Sequence, residues 1–320
     1  MNLRSVLLIA LALLAVALLL WFFWLRPKGP DPETVAAAYA TPLPPPEGSL
    51  HVFHLGHSLV GRDMPAMLAQ LAEAGVGPGH KYESQLGWGT SMREHFEPDL
   101  PVNGFDVEND HPRFRPAREA VASGEYDAVV LTEMVEIRDA IRYHDSGTYL
   151  HRWADLARGA SDTTRVYLYE TWHHLDDPEG WLTRLDADLG RYWEAGVLYP
   201  DLALSPGRPV HVIPAGQVMA GFARALEARG GVEGMQSAEE LFALRDDGSR
   251  DQIHLNDMGA YLVALTHYAV LYGRSPVGLP YELRRADGTA AQAPSAEAAR
   301  LMQEAVWEVV TGYPKTWVAQ

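Results

Sequence analysis

Apolar positions along the chain alternate between two rhythms. Leu50 to Leu55 is a crowded apolar run that reads as a buried strand ending at Gly56. After Ser58 the spacing changes. Met64, Met67, Leu68 and Leu71 recur at three and four, which is one face of a helix. The same alternation continues. Lys81–Leu86 predicts a second strand, Tyr126–Thr132 a third and Arg165–Glu170 a fourth. Trp181, Leu182, Leu185, Leu189 and Trp193 mark an amphipathic helix, and Arg208–Ile213 is a fifth strand ended by Pro214. Helices follow over Val218–Leu226, briefly over Glu239–Leu244, and over the apolar run Ala260–Leu271, which starts near Asp257. A last helix runs from Ser295 to Val310. Strands alternating with helices predict a parallel sheet sandwiched between helix layers.

The chain start obeys a different rule. Residues 6–25 are unbroken apolar residues, long enough as a helix to span a hydrocarbon core. The run ends in the aromatic stretch Trp21–Trp24, with Arg26 and Lys28 beyond, which suits a membrane interface better than a cleavage site. The expectation is an uncleaved N-terminal transmembrane anchor over 1–26, with the main domain outside the cytoplasm, on the periplasmic side. Seven prolines between Pro27 and Pro46 make 27–47 an extended spacer. Residues 48–320 form the folded domain.

Charge and composition narrow the partners. A formal net charge of −16 argues against nucleic acid and against adhesion to anionic lipid. With no cysteine there is no disulfide framework and no thiolate metal site. His51, His54 and His57 are spaced by three on a strand and turn. Successive strand side chains face opposite ways, so they do not converge on zinc. Neither metal nor cofactor is expected, and the sequence is silent on oligomeric state.

Two stretches carry chemistry. Ser58 lies between a strand's C-terminal end and a helix N-terminus, where backbone N–H groups and the helix dipole favour an oxyanion; it also suits a plain helix cap. Far downstream, Asp251 precedes His254 by three residues. Sharing one turn, the carboxylate can hold Nδ1–H and leave Nε2 free to take a serine proton. The same residues, with Asn256, also suit a cap of the following helix. Around them stand residues with two readings each. Gly87 or Gly89 can supply an oxyanion N–H, or simply a βα turn capped by Thr90 or Ser91. His57 is a core histidine or a substrate contact. Glu133 binds a substrate hydroxyl or pairs with Arg138 or Arg142. Glu170, Trp172 and His173, after the fourth strand, line a pocket or pack beneath a loop.

Gly56-His57-Ser58-Leu59 and Asp251-Gln252-Ile253-His254, in this order, resemble the SGNH hydrolases, the GDSL-like lipase and acylhydrolase superfamily. That family carries Gly-Asp-Ser-Leu after its first strand and Asp-x-x-His near its C-terminus. The resemblance covers roughly residues 48–275. It implies a three-layer α/β/α, flavodoxin-like fold, with Ser58 as nucleophile, His254 as base, Asp251 as its orienter, and the N–H groups of Ser58 and of Gly87 or Gly89 in the oxyanion hole. The chain departs from the family pattern twice. His57 replaces the motif's aspartate, and Glu133 stands where the family's Gly-x-Asn-Asp block places an oxyanion asparagine. The implied activity is a serine esterase that removes small acyl groups, acetyl first, from carbohydrate or related exported esters. The alternatives are an O-acetyltransferase on exported polysaccharide and a non-catalytic saccharide-binding module.

Overall fold

The computed structural model describes residues 29–319. Five parallel strands form one sheet: β1 (His51–His57), β2 (Lys81–Gly87), β3 (Ala128–Thr132), β4 (Arg165–Glu170) and β5 (His211–Pro214), in the order β2-β1-β3-β4-β5. That is the flavodoxin-like order, in which the chain reverses direction across the sheet between β1 and β3. In register, Leu55 of β1 stands beside Leu131 of β3 and His57 beside Gly87 of β2.

Strand alternation sorts side chains between two cores. Val52, Val130, Tyr167, Tyr169 and Ile213 enter one core. Phe53, Leu55, Val129, Leu131, Leu168 and Val212 enter the other. The first core is covered by α1 (Asp63–Gly75), whose Met64, Met67, Leu68 and Leu71 are all buried. The second is covered by α2 (Ile137–His144), α3 (Ser146–Ala160) and the π-helical stretch Leu189–Leu198 that continues α4 (Trp181–Asp188). Returning to the first face, α5 (Ala215–Arg229), α6 (Asp257–Tyr272) and α7 (Ala296–Gly312) complete it. The three layers follow from the sequence period, two along strands and 3.6 along helices.

One segment differs from its expected form. Glu239–Leu244 is a single 3₁₀ turn, Ala238–Leu241, followed by a short strand β6 (Phe242–Leu244). Ser237 and Glu240 close a capping box that starts the turn. The chain then extends because β6 pairs antiparallel with β7 (Arg250–Leu255). Asp251 and His254 are therefore on a strand, not in a helical turn or an open loop.

The expected transmembrane helix is not found among the described residues. Among the described residues no helix is long and apolar enough to cross a membrane. The segment 6–25 on which the expectation rested lies outside the described residues. The strongly apolar α6 has 16 residues, about 24 Å at 1.5 Å per residue, short of a hydrocarbon core of roughly 30 Å. Its apolar character serves a different purpose, since nearly all its side chains are buried inside the domain.

Gly56 sets the spacing where β1 meets the end of β3. A Cβ there would lie 2.7 Å from Thr132 Cβ and 2.8 Å from Val60 Cγ2. Gly56→Ala should therefore spread β1 from β3 and cost about 1–3 kcal/mol by chemical denaturation. A variant as stable as the native protein would show that the strand ends have slack.

Candidate active site

Ser58 follows β1 directly and His254 lies on β7, 196 positions away, yet His254 Nε2 is 3.0 Å from Ser58 Oγ. His254 Nδ1 is 3.2 Å from Asp251 Oδ1. Ser58 is half-buried and His254 exposed, so the pair opens to solvent.

A strand would normally turn residues three apart to opposite faces. The hairpin avoids this by an irregularity. Phe242 pairs with Leu255 and Leu244 with Arg250, so Asp251–His254 bulge opposite Ala243 alone. Bulges re-aim side chains next to functional sites. Asp251 Oδ1 stabilises this one by accepting the N–H groups of Ile253 (2.9 Å) and His254 (2.8 Å). Burial opposes charge on Asp251. The His254 and Ile253 N–H donors and the imidazole outweigh it and hold the carboxyl well below the usual carboxylate range. Asp251 is thus an anion fixed against Nδ1.

The bulge is fastened from beneath. Trp172 Nε1–H donates to Ile253 C=O at 2.8 Å, and Leu175 N–H to Gln252 C=O at 2.8 Å. Asn256 caps α6, accepting from Met258 and Gly259 N–H, while its amide donates to Glu240 C=O at 2.7 Å. Trp172 and Asn256 therefore support the strand that bears His254. Both also line a small cleft of about 170 Å³, with Ser58, Arg62 and His254.

A larger cleft of about 430 Å³ meets the first at Ser58, Leu59 and His254. It is lined by His57, Leu59, Trp88, Gly89, Val135, His174 and Ile253. Of the two candidate glycines, Gly89 is exposed and faces this cleft; Gly87 closes the β2 ladder, packed against Thr90 and Val102. Ser91 caps the helical turn Met92–Phe96 with Glu94.

His57 is 2 % exposed. Its Nε2–H donates to Glu133 C=O at 2.9 Å, and Nδ1 accepts Leu59 N–H at 3.3 Å. Burial, with the nearby His254, lowers its pKa to about 4 despite the Glu133 carbonyl, so it is neutral and ties the end of β1 to the loop after β3. Glu133 is fully buried and is not among the cleft-lining residues. Its Oε1 accepts Met134 N–H at 2.8 Å and Met92 N–H at 3.3 Å. Burial pushes its pKa up to about 7, against the N–H groups of Met134 and Met92 and the Ser146 hydroxyl. Arg138 pairs with Glu179 and Asp188 instead. Glu170 is also fully buried, against Gln217.

His173 is buried beside Asp188, at 3.3 Å. With Glu136 these residues offer three ligand atoms within 4.8 Å of one another. A cation already sits among them: the Arg184 guanidinium bonds Glu136, Asp177 and Asp188. The three N-terminal histidines go to separate places. His51 meets Glu83 at 2.5 Å, His54 packs near His267, and His57 holds Glu133.

Sequence reasoning missed Trp88 and His174, the two exposed side chains that rim the larger cleft with His254. Trp88 did carry a signal, as an aromatic between two glycines just after a parallel strand.

No known protein family matches the sequence, and no curated protein does. Solved structures resemble it in fold. A DUF4886 family protein from Bacteroides uniformis superposes with a TM-score of 0.55 at 16% identity, over 83% of this chain and 96% of that one. A candidate GDSL-like lipase from Parabacteroides merdae superposes with a TM-score of 0.42 at 14% identity, over 71% of this chain and 96% of that one.

Proposed function

We propose that this chain is a serine ester hydrolase of SGNH type acting on small acyl esters. One observation carries the reading: Asp251, His254 and Ser58 form an unbroken hydrogen-bonded chain, at 3.2 and 3.0 Å, that ends in an open cleft. Ser58 Oγ attacks the acyl carbonyl as His254 Nε2 takes its proton. Ionised Asp251 holds Nδ1–H and stabilises the imidazolium. His254 then returns the proton to the departing alkoxide, and water, activated the same way, releases the acid from Ser58.

The oxyanion is held by backbone N–H groups, those of Ser58 and Gly89. Two features support this choice. Both residues line the larger cleft, and Gly89, unlike Gly87, faces it. Glu133 stands in place of an amide donor but is turned into the core, so its carboxyl does not oppose the developing negative charge. No Asn or Gln lines that cleft.

Ser58→Ala and His254→Ala should each lower kcat on short-chain aryl esters by about a thousandfold or more, with near-ultraviolet circular dichroism unchanged. Full turnover without Ser58 would end the hydrolase reading.

A second prediction concerns Glu133 as scaffold. Its folded pKa of about 7 lies above the ordinary glutamate value of 4.5. The fold therefore keeps the proton that the unfolded chain loses, and this contribution declines as pH rises from about 4.5 through 7. Glu133→Gln cannot ionise. The stability of the native protein relative to this variant should fall over that window by on the order of 3 kcal/mol. Parallel pH profiles would show that Glu133 does not carry the proton in the fold.

A further inference from the structure

Trp88 is 50 % exposed, an unusual state for an indole that is otherwise held firmly. Its backbone N–H donates to Asn103 C=O at 2.8 Å. Its ring Nε1–H donates to Glu108 Oε1 at 2.6 Å. One ring face lies on Gly104, whose φ is +68° and where a Cβ would run into the indole. Arg62 Nε in turn holds the Glu108 C=O, at 3.2 Å. The ring is thus fixed by its backbone, its edge and one face. It stands at the rim of the larger cleft with Gly89 and His174. An aromatic surface fixed in advance costs little entropy when a ligand lies on it.

We infer that Trp88 is a stacking platform for a neutral pyranose ring, and that this ring is the alcohol side of an ester cleaved at Ser58; the inference rests on the hydrolase reading above. A pyranose is amphipathic in the way this cleft is. Its axial C–H face suits the indole, with Val135, Leu59 and Ile253 as apolar neighbours. Its equatorial hydroxyls suit polar groups, and His174 lines the same cleft, with the Glu108 carboxylate at the indole edge. The chain's net charge of −16 disfavours an acidic sugar. The two clefts divide the ester between them. About 430 Å³ on the Trp88 side takes the ring, and about 170 Å³ on the Trp172 side takes a short acyl group. In the reaction the bond from acyl carbon to sugar oxygen breaks and the bond to Ser58 Oγ forms. The proton taken from Ser58 passes through His254 to the sugar oxygen, and water then cleaves the acyl–Ser58 ester.

The test compares two acetyl esters on the full chain: a methyl glucoside acetylated at one hydroxyl, which has a ring to stack and free hydroxyls, and ethyl acetate, which has neither. Trp88→Ala should lower the ratio of kcat/KM for the glucoside over ethyl acetate by about tenfold, mainly through KM, and Trp88→Phe should restore most of it. An unchanged ratio, or equal loss on both esters, overturns the platform while leaving the hydrolase reading intact. If no Ser58-dependent turnover of either ester is found, the hydrolase reading fails by itself. Calorimetric titration of the Ser58→Ala protein with the same glucoside then judges the platform. Binding that weakens about tenfold on adding Trp88→Ala supports stacking. Absent binding, or binding indifferent to Trp88, overturns it.

Discussion

The site depends on holding His254 still against Ser58. The two residues come from different structural units: Ser58 from the central sheet, His254 from a two-stranded hairpin outside it. A hairpin of two short strands is marginal alone. This one is also bulged across the residues that matter, which removes regular ladder bonds. Its position is therefore set by groups from elsewhere: the Trp172 indole under Ile253, the Leu175 N–H on Gln252, and the Asn256 cap that joins the hairpin's end to α6. The first two bind backbone carbonyls of the bulge, and Asn256 ties the first N–H groups of α6 to Glu240 C=O ahead of β6. The bulge itself is locked by Asp251, so one carboxylate both shapes the turn and orients the imidazole.

That double use explains which parts were legible in the sequence. Crowded apolar runs located all five sheet strands, and helical spacing located α1, α4, α5, α6 and α7, because those elements bury continuous apolar faces. They could not locate β6 and β7, whose residues are partly exposed and alternate poorly. Asp251 and His254 were found by their chemistry and spacing. The turn assumed to join them is instead a bulge, since three residues of separation can also be folded back by an Asx-type bond. The N-terminal apolar run stands out by its length and its aromatic and basic flank, and it lies outside the described residues.

The polar residues around Ser58 expose a further limit. His57, Trp172 and Asn256 each have the chemistry of a substrate contact. In the fold each spends its hydrogen-bonding groups on the scaffold, and so does Oε1 of Glu133. Sequence gives donor and acceptor types but not whether they are already engaged. Burial decides that, and burial is set by packing across the two helix layers. The residues with polar or aromatic surface left over, Trp88 and His174, lie on the loops after β2 and β4.

A parallel sheet makes this division natural. Strand C-terminal ends converge on one edge, and the first residues beyond each strand must both close the core and face solvent. After β3, Glu133 turns inward and Val135 outward. After β4, Trp172 and His173 turn inward and His174 outward. The inward residues carry the cost of burial: Glu133 has its carboxyl pushed up, and His173 is set against a shared Arg184 network. Those buried polar contacts fix the loops tightly enough that their outward neighbours present surface in a constant place. The chemistry visible in the cleft is therefore a small part of the polar chemistry at this edge. The larger part is buried beneath it, where it determines the geometry that Ser58 and His254 require.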